Sequence, residues 1–128
     1  MRHLCCRILG DRRGESASEF AMVLPFLLLL LVGIVEFGRA IWTQSTLNSA
    51  VAAAARCASV NVNLCGAPAA TQSYAASQAT GLNLDSTAFT VTVQPCGNQV
   101  AANVPFTFVF DQLLPYAITL TAQACYPS

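Results

Sequence analysis

The sequence predicts an α+β fold in which one long N-terminal helix, half membrane-spanning and half amphipathic, packs on a small three-stranded antiparallel sheet. Three observations predict it. An apolar run begins at Phe20, apolar residues recur at helical spacing well beyond the end of that run, and three stretches of the C-terminal third alternate apolar and polar residues.

The first fourteen residues form a basic, polar leader. Four of the six Arg (Arg2, Arg7, Arg12 and Arg13) precede the apolar run, only Arg39 and Arg56 follow it, and the chain contains no Lys. This asymmetry orients a span with its N-terminus in the cytoplasm. Ala21 to Val35 is free of charge, and Phe20 to Phe37 gives eighteen residues with Glu36 inside. That is near the lower edge of the roughly 17–25 residues a spanning helix needs. A secretory signal would be followed by small residues two apart and the start of a mature domain. Here Glu36 and Arg39 follow instead, and then Ile41, Leu47, Val51, Ala54 and Ala58 at spacings that hold one helical face. The helix is therefore expected to run from residue 15 to about 60, with its span at about 20–37. The Asn61, Asn63, Gly66, Pro68 region breaks it.

Residues 61–128 are expected to form a small periplasmic α+β domain. The Ala-rich segment from Thr71 to Thr80 predicts a second, short helix stopped by Gly81. In "TAFTVTVQP", Phe89, Val91 and Val93 alternate with Thr90, Thr92 and Gln94. In "QVAANVPFTFVFDQL", Phe106, Phe108 and Phe110 share one side. In "AITLTAQACY", Ile118, Leu120, Ala122 and Ala124 alternate with Thr119, Thr121 and Gln123. "PCGNQ" supplies Gly97 and Asn98 for a hairpin turn between the first two strands, and Pro115 in "DQLLPY" separates the second from the third. A soluble part this small has a thin core and needs covalent or partner support.

The cysteines supply that support. Cys5 and Cys6 precede the span and face a reducing cytoplasm; Cys57, Cys65, Cys96 and Cys125 follow it and reach an oxidising compartment. Four cysteines allow three connectivities, which spacing does not decide. The expected pairing is Cys57 with Cys65, closing the helix end onto its loop, and Cys96 with Cys125, tying the hairpin to the last strand.

The inventory of reactive groups argues against catalysis. Beyond the span the chain holds only Asp85 and Asp111 as carboxylates, with no His or Lys to serve as general base or to activate a Ser or Thr. His3, Cys5 and Cys6 lack a fourth metal ligand, and no C-x-x-C pair occurs. Glycine-rich phosphate and dinucleotide patterns are absent, so no metal or cofactor is expected. Six Arg balanced by six acidic residues give no reason to invoke nucleic acid. Alternation assigns Phe106, Phe108 and Phe110 to a strand's core face rather than to a ligand groove. Trp42, just past the span, fits the outer interface, where indoles concentrate.

Two carboxylates border the apolar run. Glu36 and Arg39, three apart, can pair where the helix leaves the membrane. Glu19 sits at the inner lip, where a charge is costly and takes a partner. In an uncleaved chain it would snorkel toward Arg12 or Arg13.

The stretch "RRGESASEFAMVLPFLLLLLVGIVEFGRAIWTQSTLNSAVAAAARCA" resembles the N-terminal region of the TadE-like pseudopilins, minor pilin-like proteins of the tight-adherence (Flp, type IVb-like) pilus system. The matching elements are a basic leader ending in Gly14, four polar or small residues, Glu19-Phe20, and then "VLPFLLLLLVGIVEFGRA". The resemblance implies a pilin-like fold and cleavage by prepilin peptidase between Gly14 and Glu15. Glu19 then becomes fifth in the mature chain, and Glu19-Phe20 sets the axial register of assembly. Cleavage also removes Arg12 and Arg13 and gives each subunit an α-ammonium that can satisfy the Glu19 of a neighbour. The polar "ESAS" departs from ordinary type IV pilins, whose mature chains begin apolar, and agrees with the TadE-like branch.

The implied role is a minor, non-enzymatic pilus-assembly subunit in the inner membrane. Its N-terminus is cytoplasmic and its C-terminal domain periplasmic. The implied partners are prepilin peptidase, other pilin-like subunits, inner-membrane assembly proteins and membrane lipid. The alternative is an uncleaved single-span protein whose periplasmic domain binds a partner.

Overall fold

A computed structural model of the chain describes residues 15–109 and 117–127. Gly14, His3, Cys5, Cys6, Phe110, Asp111 and Pro115 lie outside the described residues. The order of elements is α1 (Glu15–Val60), α2 (Val62–Cys65), α3 (Pro68–Gln78), a short 3-10 turn (Ser86–Ala88), β1 (Phe89–Gln94), β2 (Gly97–Phe106) and β3 (Ile118–Tyr126). The chain divides into two compact units, 1–37 and 38–128.

In the first unit α1 is helical through Pro25, although proline lacks the N–H that would bond the Ala21 carbonyl. Neighbouring polar groups make such an interruption tolerable in membrane helices. Among its described side chains only Glu36 is buried; apart from the half-buried Leu24 and Val32, the large apolar ones, among them Phe20, Phe26, Leu30 and Phe37, are exposed. This helix is long and apolar enough to cross a membrane.

The second unit is the α+β domain. Its sheet is antiparallel with order β1-β2-β3, and α1 from Gly38 onward lies on one face. The helical stripe Thr43, Leu47, Ala50, Val51 and Ala54 is buried, at spacings of three and four. It meets Phe89 of β1, Val100, Ala102 and Val104 of β2, and Ala122 of β3. Three polar contacts fix the alignment along the helix. Gln44 Nε2 donates to the Thr121 carbonyl (2.8 Å), Ser59 Oγ to the Tyr126 carbonyl (3.2 Å), and Asn98 Nδ2 to Ser59 Oγ (3.2 Å). Helical Thr and Ser that point away from the sheet bond back to the preceding turn, as Thr46 does to the Trp42 carbonyl. α3 covers the start of β1, where Gln72 Nε2 donates to the Phe89 carbonyl (2.9 Å).

Several sequence expectations need correction. Ile41 is exposed because the buried stripe is phased on Thr43 and Leu47, not on Ile41. The second helix begins at Pro68 rather than Thr71, since proline fits the first helical position, where its missing N–H is no loss. The hairpin turn is Pro95-Cys96; Gly97 is already the first residue of β2, paired with Gln94. Gly97 has φ +120°, and a Cβ there would strike the Tyr126 carbonyl, so glycine serves close strand approach as well as the hairpin. β2 therefore starts earlier and ends earlier than alternation suggested. It stops at Phe106, and Phe108 lies beyond it, its ring edge-on to Phe106 at 5.3 Å between centroids. Pro105 is tolerated in the middle strand because the pairing with β1 ends at Ala102, which leaves β2 with edge character there. Val93, expected on the buried face, is 81 % exposed: it lies on the edge strand β1, while the end of α1 bonds to its register partner Asn98 in β2.

Two disulfides lie in this unit. Cys57–Cys65 joins the last turn of α1 to the end of α2 across 5.7 Å between Cα atoms. Cys96–Cys125 joins the β1–β2 turn to the end of β3 across 6.2 Å. Beside the first, Thr71 Oγ1 donates to the Cys65 carbonyl at 2.7 Å in a buried setting. Thr71→Val is expected to lower stability by about 1 kcal/mol, because it leaves that carbonyl one donor short. A urea melt of the full chain in detergent checks this.

Candidate functional site

The residues singled out by sequence fall into three places. The first is the N-terminal end of α1. Gly14 lies outside the described residues, and Glu15 opens the helix. Glu19 and Phe20 follow one turn later, both exposed. Residues 15 and 19 are four apart and so share one flank of the helix. Glu19 is thus a carboxylate at the edge of an apolar cylinder whose side chains face outward from Phe20 to Val35, interrupted only by the half-buried Leu24 and Val32.

The second place is the end of the apolar segment. Glu36 is 8 % exposed, and Arg39 begins the part of α1 that packs on the sheet. The Arg39 guanidinium lies over the Phe106 ring, 5.6 Å from its centroid. That distance suits a cation held by the aromatic quadrupole. This contact was invisible in the sequence, where Phe106 read only as a core residue; it is both partly core and the platform for Arg39.

Around this pair the second unit has a groove of about 400 Å³, lined by Arg39, Trp42, Leu82, Leu84, Pro105 and Phe106 among others. Trp42 is 54 % exposed, and the buried part of its ring rests against Gly81. Gly81 has φ +82°, and a Cβ there would approach the indole to 2.8 Å. The glycine expected to stop the second helix thus has two reasons to be glycine, a left-handed backbone and an aromatic neighbour. Gly81→Ala is expected to cost about 1–3 kcal/mol and to move the emission of Trp42, the single tryptophan. Melting curves and a fluorescence spectrum check the two effects separately.

The third place holds the two disulfides, which bring together Cys57 with Cys65 and Cys96 with Cys125. Among the described residues no group of three or more His, Cys, Asp or Glu could hold a metal.

The first unit offers an apolar helix surface with a carboxylate at its N-terminal edge. The second is a unit tied by two disulfides.

Residues 14–56 match the model of a family described as TadE-like protein. No curated protein and no solved structure matches the chain.

Proposed function

We propose that this chain, TadE-like from residue 14 to residue 56, is a minor pilin-like subunit that serves assembly of a tight-adherence (Flp) pilus. Prepilin peptidase cuts after Gly14, the span at about 20–37 holds the mature protein in the inner membrane, and the disulfide-tied unit stands in the periplasm. There it is presented to other pilin-like subunits and to the inner-membrane assembly proteins. The role asks for binding and positioning and for no catalytic step.

The observation that carries this reading is the family match, which begins at Gly14 and runs through Glu19 and the apolar helix face. A carboxylate near the hydrocarbon region is costly unless a cation meets it. Cleavage after Gly14 removes Arg12 and Arg13 and creates an α-ammonium on Glu15, which meets the Glu19 carboxylate of an adjacent subunit. Each subunit then offers one cation and one anion at fixed positions, so that only one axial stagger satisfies both. Glu36 and Arg39 form the second charged device, pairing where the helix meets the outer water boundary.

The processing step gives the direct test. The N-terminus and intact mass of the membrane-bound protein are expected to show a chain shortened by fourteen residues and beginning at Glu15. Gly14→Arg, or removal of the peptidase, is expected to leave the full-length chain in the membrane. A chain beginning at Met1 beside an active peptidase would sink the proposal.

A further inference from the structure

We propose that the Cys96–Cys125 bond is a site of thiol–disulfide exchange with a protein dithiol, entered by attack on the Cys96 sulfur, and that Cys57–Cys65 in the same unit is closed to that reagent. The inference goes beyond the pilus reading and stands on the second unit alone.

The two bridges differ in access at both of their ends. Cys96 is exposed, in a hairpin whose Gln94 and Pro95 are exposed too, and Cys125 is half-buried beside the exposed Tyr126 and Pro127. Cys65 is only 2 % exposed, and Cys57 is half-buried in the last turns of α1. Exchange needs a thiolate to reach one sulfur and the other sulfur to leave as a thiolate. Burial blocks attack at Cys65. Attack at Cys57 would release the Cys65 thiolate into a buried site, where the charged form is disfavoured. At the other bridge the Cys96 sulfur is open to attack, and Cys125 leaves at a position that water reaches.

Charge does not oppose the approach. β1, β2, the turn between them and β3 contain no Asp, Glu, Lys or Arg, so an incoming thiolate meets no carboxylate from these segments. In the first step a thiolate of the dithiol bonds to Cys96 Sγ as the Cys96–Cys125 bond breaks, and Cys125 takes the electron pair. The partner's second thiol then attacks the mixed disulfide and releases Cys96. The partner ends as a disulfide, the chain gains two electrons, and its two thiolates take up the two protons that the dithiol gives up. Run in reverse, the same steps let an oxidised partner close the bond.

The sheet keeps the two sulfurs near each other while the bond is open. β2 stays paired with β3 from Asn98–Tyr126 to Phe106–Ile118, and Tyr126 is the chain neighbour of Cys125. Cys57 and Cys65, eight residues apart, meet within a helix end and the turn after it. Cys96 and Cys125, 29 residues apart, meet only when β3 is in register. The bond that needs the finished sheet is thus the one a partner can reach.

The test uses the oxidised full chain in detergent and two probes, dithiothreitol and a purified thioredoxin whose second active-site cysteine is replaced by serine. With dithiothreitol, thiols are trapped over time by N-ethylmaleimide and mapped by peptide mass spectrometry. Cys96 and Cys125 are expected to be labelled at least about tenfold faster than Cys57 and Cys65, while the Trp42 emission stays unchanged. The thioredoxin variant is expected to be trapped as a mixed disulfide on Cys96.

Labelling of all four cysteines at one rate, or of Cys57 and Cys65 first, would overturn the inference. An adduct on Cys125 would overturn the assignment of the attacked sulfur, and no adduct on the folded chain would overturn the protein partner. None of these readouts depends on where the mature chain begins, so they fail or succeed separately from the processing test.

Discussion

Replacing Cys96 and Cys125 together by serine is expected to lower the stability of the 38–128 unit by about 3.5 kcal/mol, the value for releasing a closed loop of this length in the chain-entropy account. The bond spans 29 residues of sequence, against eight for Cys57–Cys65, whose loss is worth about 2.5 kcal/mol on the same account. The serines introduce little penalty of their own, since Cys96 is exposed and Cys125 half-exposed. Cys65, by contrast, is buried, and a hydroxyl there would need a partner.

The loss is large because the core is built from small side chains. Ala50, Ala54, Ala55, Ala75, Ala79, Ala102 and Ala122 are buried, and among the described residues the apolar side chains larger than alanine with no exposure are Phe89, Leu47, Val51 and Val100. Alanines let α1 approach the sheet closely, but each removes little apolar surface from water. A domain of this size has a total stability of roughly 5–13 kcal/mol, so one bridge is a substantial share of it. Urea melts of the full chain in detergent, oxidised and doubly substituted, measure the difference. Coincident midpoints would show that strand pairing alone holds the hairpin to β3.

Glu19→Ala is expected to abolish pilus assembly while leaving cleavage after Gly14 and membrane insertion intact. Insertion does not suffer, because removing a carboxylate from the lip of the span removes a cost of up to about 2.5–3.5 kcal/mol rather than adding one. On the proposed pairing, what is lost is the partner for a neighbour's α-ammonium, and with it the preference for one axial stagger. Glu19→Gln is expected to behave in the same way, since it keeps size and polarity but not charge; Glu19→Asp should retain part of the function. Piliation scored by microscopy, with the N-terminus determined on the same membranes, separates assembly from processing. Normal piliation with Glu19→Ala would count against the ammonium pairing.

The TadE-like resemblance rested on a contiguous run of residues, and contiguity is why it was legible. The α+β class was legible for a related reason: helix and strand periods are local. Leu47, Val51 and Ala54 mark a helical face, and Phe89 and Val91 a strand, before any packing is known. Locality is also where the reading failed. Alternation through Phe106, Phe108 and Phe110 continues past the point where β2 loses its partners, and Val93 keeps the strand period where nothing covers it. Gly97 was placed in the turn by composition; it follows the Pro95-Cys96 turn as the first residue of β2, where its positive φ completes a hairpin whose first turn residue, proline, is held at negative φ.

By itself the sequence determined the long apolar helix, the placement of its charges, and the strands of the small domain. All of these follow from which residues are near one another along the chain. Only the tertiary structure decided where the strands end, which cysteines lie within bonding distance, and that Arg39 comes to Phe106 and Trp42 to Gly81. Those depend on the register between segments that share no local pattern, a register set by burying a narrow stripe of α1 against a thin, alanine-rich sheet face.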